Sequence, residues 1–159
     1  MTFDAEIWLN SMRTLLEKSR RAGHEFHFYG PAADHAIGIT QRSLGLPFPS
    51  SYAVFLRNFG GGGIPGGEIS GISDSRNPLV GFAHEVYEDT RYFRQQHDLP
   101  RHLIVVKRDD DLRLVWCIDT SSPGLDGESP MVNYELDGGT VTHLFDSFAS
   151  FFQFYVQRK

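Results

Sequence analysis

Residues 44–63 read LGLPFPSSYAVFLRNFGGGG, a stretch that holds a helix stop, a helix start, an apolar face and four consecutive glycines. Gly45 suits the left-handed position after a helix, and Pro47 and Pro49 prevent that helix from continuing because proline has no N–H to donate. Pro49, Ser50 and Ser51 supply first-turn chemistry, so a second helix is expected to start near Pro49. Along it Tyr52, Phe55, Leu56 and Phe59 recur at helical period and form one stripe that must face a core. Gly60 to Gly63 end this helix, since glycine takes a positive φ without a Cβ penalty. A phosphate cradle needs the reverse order, with a strand before the glycines and a helix opening on Gly-Lys-Ser/Thr after them. Here Ile64-Pro65-Gly66-Gly67-Glu68 follows without a lysine or a helix start, so the glycines read as a backbone turn.

Upstream, residues 4–21 read as a helix with Trp8, Met12, Leu15 and Leu16 on one face, and Lys18, Arg20 and Arg21 complement its C-terminal dipole. Gly23 ends it. Phe26 and Phe28 alternate with His27 and Tyr29 as a short strand does, and Gly30-Pro31 turns the chain into a helix over residues 32–43. Ile37 and Leu44 are placed to face the same core.

Downstream, residues 64–72 are too rich in glycine for a long helix and read as short extended pieces, with a loop over residues 74–78. Residues 79–96 look helical, with Phe82, Val86 and Phe93 near one face and Glu85, Glu88, Asp89, Arg91 and Arg94 on the other. Residues 103–107 and 112–118 are two β-rich runs around a charged tip, the second placing Leu114, Trp116 and Ile118 on one face with Leu112 in phase. Asp137-Gly138-Gly139 joins two more strands, residues 131–136 and 140–144, as hairpin chemistry. A last helix, capped by Asp146 or Ser147, carries Phe148, Phe151, Phe152, Tyr155 and Val156 along one stripe. The expected fold is α+β, a single domain over residues 1–159, with a mainly antiparallel sheet and helices packed against it.

With 159 residues the chain is long enough to bury a core without staples. Its lone Cys117 has no internal disulfide partner, and no charged-then-apolar leader opens the sequence, which predicts a reducing cytoplasm. No apolar run approaches the roughly 20 residues of a membrane helix, so no membrane partner is expected. Fifteen Lys plus Arg against twenty Asp plus Glu give a formal charge of −5, which disfavours direct nucleic-acid binding and favours basic partners.

Catalytic and metal motifs fail on inspection. His84-Glu85 lacks the second histidine of the zinc-protease pattern, and His24 and His27 straddle a helix-to-strand break without a third ligand at a characteristic spacing. Asp109, Asp110 and Asp111 on a tight turn point in different directions and lack the alternating spacing of calcium loops. Cys117 sits between Trp116 and Ile118 with nothing adjacent to lower its pKa, and no Gly-x-Ser-x-Gly elbow occurs. No catalytic residue, metal or cofactor is expected. The carboxylates Glu68, Asp74, Glu85, Glu88, Asp89, Asp126 and Glu128 read singly as an ordinary solvated surface, but as a set they steer a basic partner.

The order Leu44-Gly45-x-Pro47, Pro49-x-x-Tyr52-x-x-Phe55-Leu56, then Asn58 and the glycines, resembles the SUKH superfamily. That family's Leu-Pro before the tyrosine helix is met by Leu46-Pro47 or by Phe48-Pro49. Leu99-Pro100, the strand from Leu103 to Val106, Trp116-Cys117-Ile118-Asp119 and Ser147-Phe148-x-x-Phe151-Phe152 follow in the family's order, so the resemblance spans residues 33–156. It implies an α+β fold and no catalytic residues. Many bacterial members look like immunity proteins that bind and neutralise a cognate secreted toxin, often a nuclease, and fungal relatives are regulators of cell-wall assembly. The expectation is therefore a non-enzymatic cytoplasmic immunity protein for a polymorphic toxin, with a basic nuclease domain as partner. Residues 68–92 and the loop 126–128 are the expected contact surface, through Glu68, Asp74, Glu85, Glu88, Asp89, Tyr92, Asp126 and Glu128. A regulatory scaffold or peptide-binding adaptor is the alternative, and a small hydrolase with a noncontiguous site the third.

Overall fold

Asp4 caps the first helix, α1 (Ala5–Arg21), by accepting a hydrogen bond from the Ile7 N–H at 3.0 Å, and three basic residues close its last turn. In the computed structural model, which describes residues 2–80, 82–124 and 126–157, the chain continues through β1 (His27–Phe28), α2 (Asp34–Leu44) and α3 (Ser50–Asn58). Gly45 ends α2 in the left-handed conformation, as its position in the sequence requires. Two short strands follow, β2 (Gly62–Ile64) and β3 (Gly67–Ile69), then α4 (Val86–His97), β4 (Leu103–Asp109), β5 (Leu114–Asp119), β6 (Met131–Glu135), β7 (Val141–Phe145) and α5 (Phe148–Val156). Of the two caps considered for α5, Ser147 is the one used: its hydroxyl accepts from the Ser150 N–H at 3.1 Å.

The strands form two antiparallel sheets, β1-β2-β3 and β4-β5-β6-β7. They meet where the Ser70 N–H donates to the Val106 carbonyl at 2.8 Å, so β3 abuts the otherwise open edge of β4 beside a bulge between Val105 and Lys107. This is the α+β arrangement expected from the sequence.

The helical stripes supply the larger core. Tyr52, Phe55 and Leu56 of α3 are fully buried with Phe148, Phe151 and Phe152 of α5, and Met12 and Leu16 of α1 join them over Ile104, Val106, Ile118 and Met131 of the sheet. A smaller core lies on the sheet's other face, where Phe93 of α4 and Leu99 cover Leu103, Val105, Val115, Cys117 and Val132. Strand β5 is thus covered on both faces rather than on one, because α4 takes the side opposite Trp116 and Ile118. Leu112, expected in phase with them, lies in the hairpin tip and is exposed.

Two other expectations need correction. The helix predicted from residue 79 begins only at Val86: His84 adopts φ +69° and Glu85 is extended, so the helical spiral cannot run through them. Phe82, placed on a core-facing helix side by its spacing, instead sits in this turn-rich segment and is 66% exposed. The glycines that end α3 do more than terminate it, since Gly62 and Gly63 go on to form β2. All four carry positive φ, and Tyr29 lies so close to Gly61 that a Cβ there would stand 2.8 Å from its ring.

Candidate partner-binding site

The segment from β3 to α4 carries five of the eight expected contact residues and one more on β3 itself, but the side chains divide into two populations. Glu85, Asp89 and Glu128 are only 3%, 1% and 5% exposed, although the first two were expected on a solvated helix face. Each is buried because the fold brings donors to it. Glu85 accepts from the Ser73 N–H at 3.1 Å and from the Ser73 hydroxyl, and pairs in a parallel bridge with Gly71. Asp89 accepts from the Ser70 hydroxyl at 2.6 Å, the His84 N–H at 3.3 Å and the Arg108 guanidinium at 3.4 Å. Glu128 reaches the N-terminus of α3, where the Ser51 N–H donates to it at 3.1 Å, a favourable place for a carboxylate.

These three carboxylates tie the 70–85 loop and the 120–130 loop to the body of the fold. His84 shows how firmly. Its unfavourable left-handed backbone is held by the N–H bond to Asp89 and by its carbonyl, which accepts from the Gly71 N–H at 3.0 Å and the Tyr29 hydroxyl at 3.4 Å.

Burial raises the pKa of Glu85 and of Asp89 above the ordinary carboxylate values, outweighing the Ser73 bonds in the first case and the Ser70 and Arg108 contacts in the second. The folded chain therefore holds protons that the unfolded chain has already released, and the resulting stabilisation is present at low pH and lost as pH rises through the raised values. As pH rises from the ordinary glutamate range through the raised value, the urea midpoint of the wild type is expected to fall more steeply than that of Glu85→Gln, which cannot ionise. Parallel pH profiles for the two proteins would contradict this.

The other five residues are less deeply buried. Glu68 on β3 is half-buried, accepts from the Gly66 N–H at 2.9 Å and lies 3.7 Å from the His84 imidazole. Its partial burial opposes ionisation, but the backbone N–H groups of Gly66 and Glu68 and the nearby His84 and Lys107 outweigh it and hold the carboxyl below its usual value. The Arg76 N–H, donating at 2.9 Å, does the same for Asp74. Glu88 pairs with Arg91 at 2.5 Å one turn along α4, Tyr92 is 42% exposed, and Asp126 is exposed in its loop. The sequence reading missed Leu79 and Phe82, apolar side chains exposed between Asp74 and α4, because a helical period assigned Phe82 to the interior. Among the described residues no group of three or more His, Cys, Asp or Glu side chains is placed to hold a metal ion. Burial raises the Cys117 thiol pKa strongly, which removes the thiolate a nucleophile needs.

The family model described as SMI1-KNR4 cell-wall, of the SUKH group, matches residues 12–157. The chain belongs to the SUKH superfamily. In this SUKH protein the match begins within α1 and reaches the residue after α5, so it takes in both sheets and extends the resemblance seen in the sequence by some twenty residues towards the N-terminus. The signature stretch 44–63 is the α2 end, α3 and the glycine crossing, all of which serve the core. No helix among the described residues is long and apolar enough to cross a membrane.

Proposed function

We propose that this SUKH protein is an immunity protein, a single domain that acts in the cytoplasm and neutralises a cognate secreted toxin by one-to-one binding without catalysis. Membership of the SUKH superfamily over nearly the whole chain is the observation that carries this reading. The net charge of −5 favours a basic partner such as a nuclease domain, whose substrate-binding surface an acidic protein covers. Glu68, Asp74, Glu88 and Asp126 supply the charge, and Phe82 and Tyr92 the aromatic anchors, of an interface on the order of 1,600 Å² in total. Glu85, Asp89 and Glu128 contribute by fixing the loops that present these side chains.

The test is genetic and biochemical. A toxin gene next to this one is expected; co-expression of the chain should restore growth to cells making that toxin domain, and the two should co-purify. Failure of both rescue and co-purification would remove the reading. The cell-wall wording of the family description favours a second reading, a regulatory scaffold or peptide-binding adaptor, which predicts capture of a host protein in the absence of any toxin.

A further inference from the structure

Bordering the acidic segment at Glu68, α1, α5, the β2–β3 hairpin and the β4–β5 pair form an open groove of about 940 Å³. Its floor is aromatic: Trp116 and Phe151 meet edge to face with ring centroids 5.6 Å apart. Phe154 stands at its side, 60% exposed. The walls are fixed by internal bonds. The Tyr155 hydroxyl accepts from the Ile64 N–H and donates to the Gly67 carbonyl, both at 2.6 Å, which staples the hairpin to α5. The Ser19 hydroxyl donates to the Val156 carbonyl at 2.6 Å and joins α1 to the same helix.

Charge sets the groove apart. In a chain of net charge −5, Lys18 and Lys107 are the only charged side chains among the described residues that line it. Lys107 stands 5.1 Å from the centre of the Trp116 ring, and Lys18 is exposed on α1. We propose that this groove binds an extended segment of a protein partner in which carboxylates alternate with aromatic or aliphatic side chains. Two cations on different elements, flanking an apolar floor, match a chain with several carboxylates better than an acyl anion with a single one. A preformed groove also lowers the ordering cost of binding. This inference does not depend on the toxin reading, since the groove has the opposite sign to the acidic contact surface.

The probe is an acetylated, amidated hexapeptide alternating glutamate with phenylalanine or leucine, titrated into the isotope-labelled full chain and followed by NMR. Saturable shifts of the Trp116 indole and of the Ile64 and Gly67 amides are expected, with none from the lysine counterpart of the peptide. Lys18→Glu combined with Lys107→Glu should weaken binding at least about tenfold. Phe154→Asp, at a position 60% exposed, should weaken it in protein whose folding is verified by circular dichroism. No saturable shift at millimolar peptide, or equal affinity in the charge-reversed protein, would overturn the proposal. Decanoate reproducing the shifts that the peptide fails to give would overturn it in favour of a lipid anion.

Discussion

Phe55→Ala is expected to lower the unfolding free energy by about 3–5 kcal/mol, the range for an aromatic side chain removed from a packed core. Phe55 is fully buried and stands where three elements converge: its ring centroid lies 5.1 Å from those of Phe148 and Phe152 on α5, 5.8 Å from Phe59 and 6.4 Å from Phe28 of β1. A cavity here cannot collapse easily, because the neighbouring rings are held by one another. Against a total stability of about 5–15 kcal/mol for a domain, this loss brings the protein close to unfolding. Urea denaturation measures it. Phe82→Ala is the control, a ring of the same size left 66% exposed, and should change stability by no more than about 0.5 kcal/mol. A Phe55→Ala protein as stable as this control would show that α3 is not the element on which the core is built.

Gly60→Ala should be the more damaging change, since its cost has two parts. Gly60 has φ +77°, where an L side chain is strained by roughly 1–2 kcal/mol. Its Cβ would also overlap the backbone carbonyl oxygen of Gly30 and stand 3.3 Å from that of Ile72. Backbone cannot rotate aside as a side chain does. The chain crosses itself here: the Gly30 N–H donates to the Phe59 carbonyl at 2.9 Å and the Ile72 N–H to the Gly60 carbonyl at 2.7 Å. Relieving the overlap breaks these bonds and displaces the hairpin from α3. The expected loss exceeds about 4 kcal/mol, and the measurement is the yield of folded protein together with its denaturation midpoint. Gly66→Ala separates the two parts: φ is +80° but nothing lies within 4 Å of the added Cβ, so only the local strain remains. Equal stabilities of the Gly60 and Gly66 variants would contradict the crossing as the source of the effect.

What was legible in the sequence follows from the range of the interactions. The stripes of α1, α3 and α5 are read at one helical turn, and most of their core-facing residues are buried, with Trp8, Leu15 and Phe59 only partly so, because a three-to-four-residue period needs no knowledge of the partner. The start of α4 was not legible. Residues 79–93 carry a passable apolar period, but the bridge from Gly71 to Glu85 and the backbone conformation of His84 override it. The polar interior was hidden for the same reason. Ser51 and Glu128 are 77 residues apart, and Ser70 and Asp89 are 19 apart, so nothing local distinguishes Glu128 or Asp89 from Glu88, which is only partly covered and pairs with Arg91 one turn away.

That distinction changes how the contact surface must be tested. Charge reversal at Asp89 would leave the Arg108 guanidinium facing a cation in a place that is 1% exposed, so a loss of binding there would report on folding. Glu88, whose side chain is 16% exposed and paired with Arg91, shares part of that difficulty, so it and Asp74 are best neutralised rather than reversed.

The most direct measurement is a calorimetric titration of the purified chain into the purified toxin domain encoded beside it, at low and at moderate salt. The account predicts a one-to-one complex whose affinity falls as salt rises. In Asp74→Asn combined with Glu88→Gln, which remove the charges but keep oxygens that accept from the Arg76 N–H and from Arg91, it predicts weaker binding and a flatter salt dependence in a chain that stays folded. No binding of the toxin domain, or an affinity and salt dependence that the two neutralisations leave untouched, would contradict it.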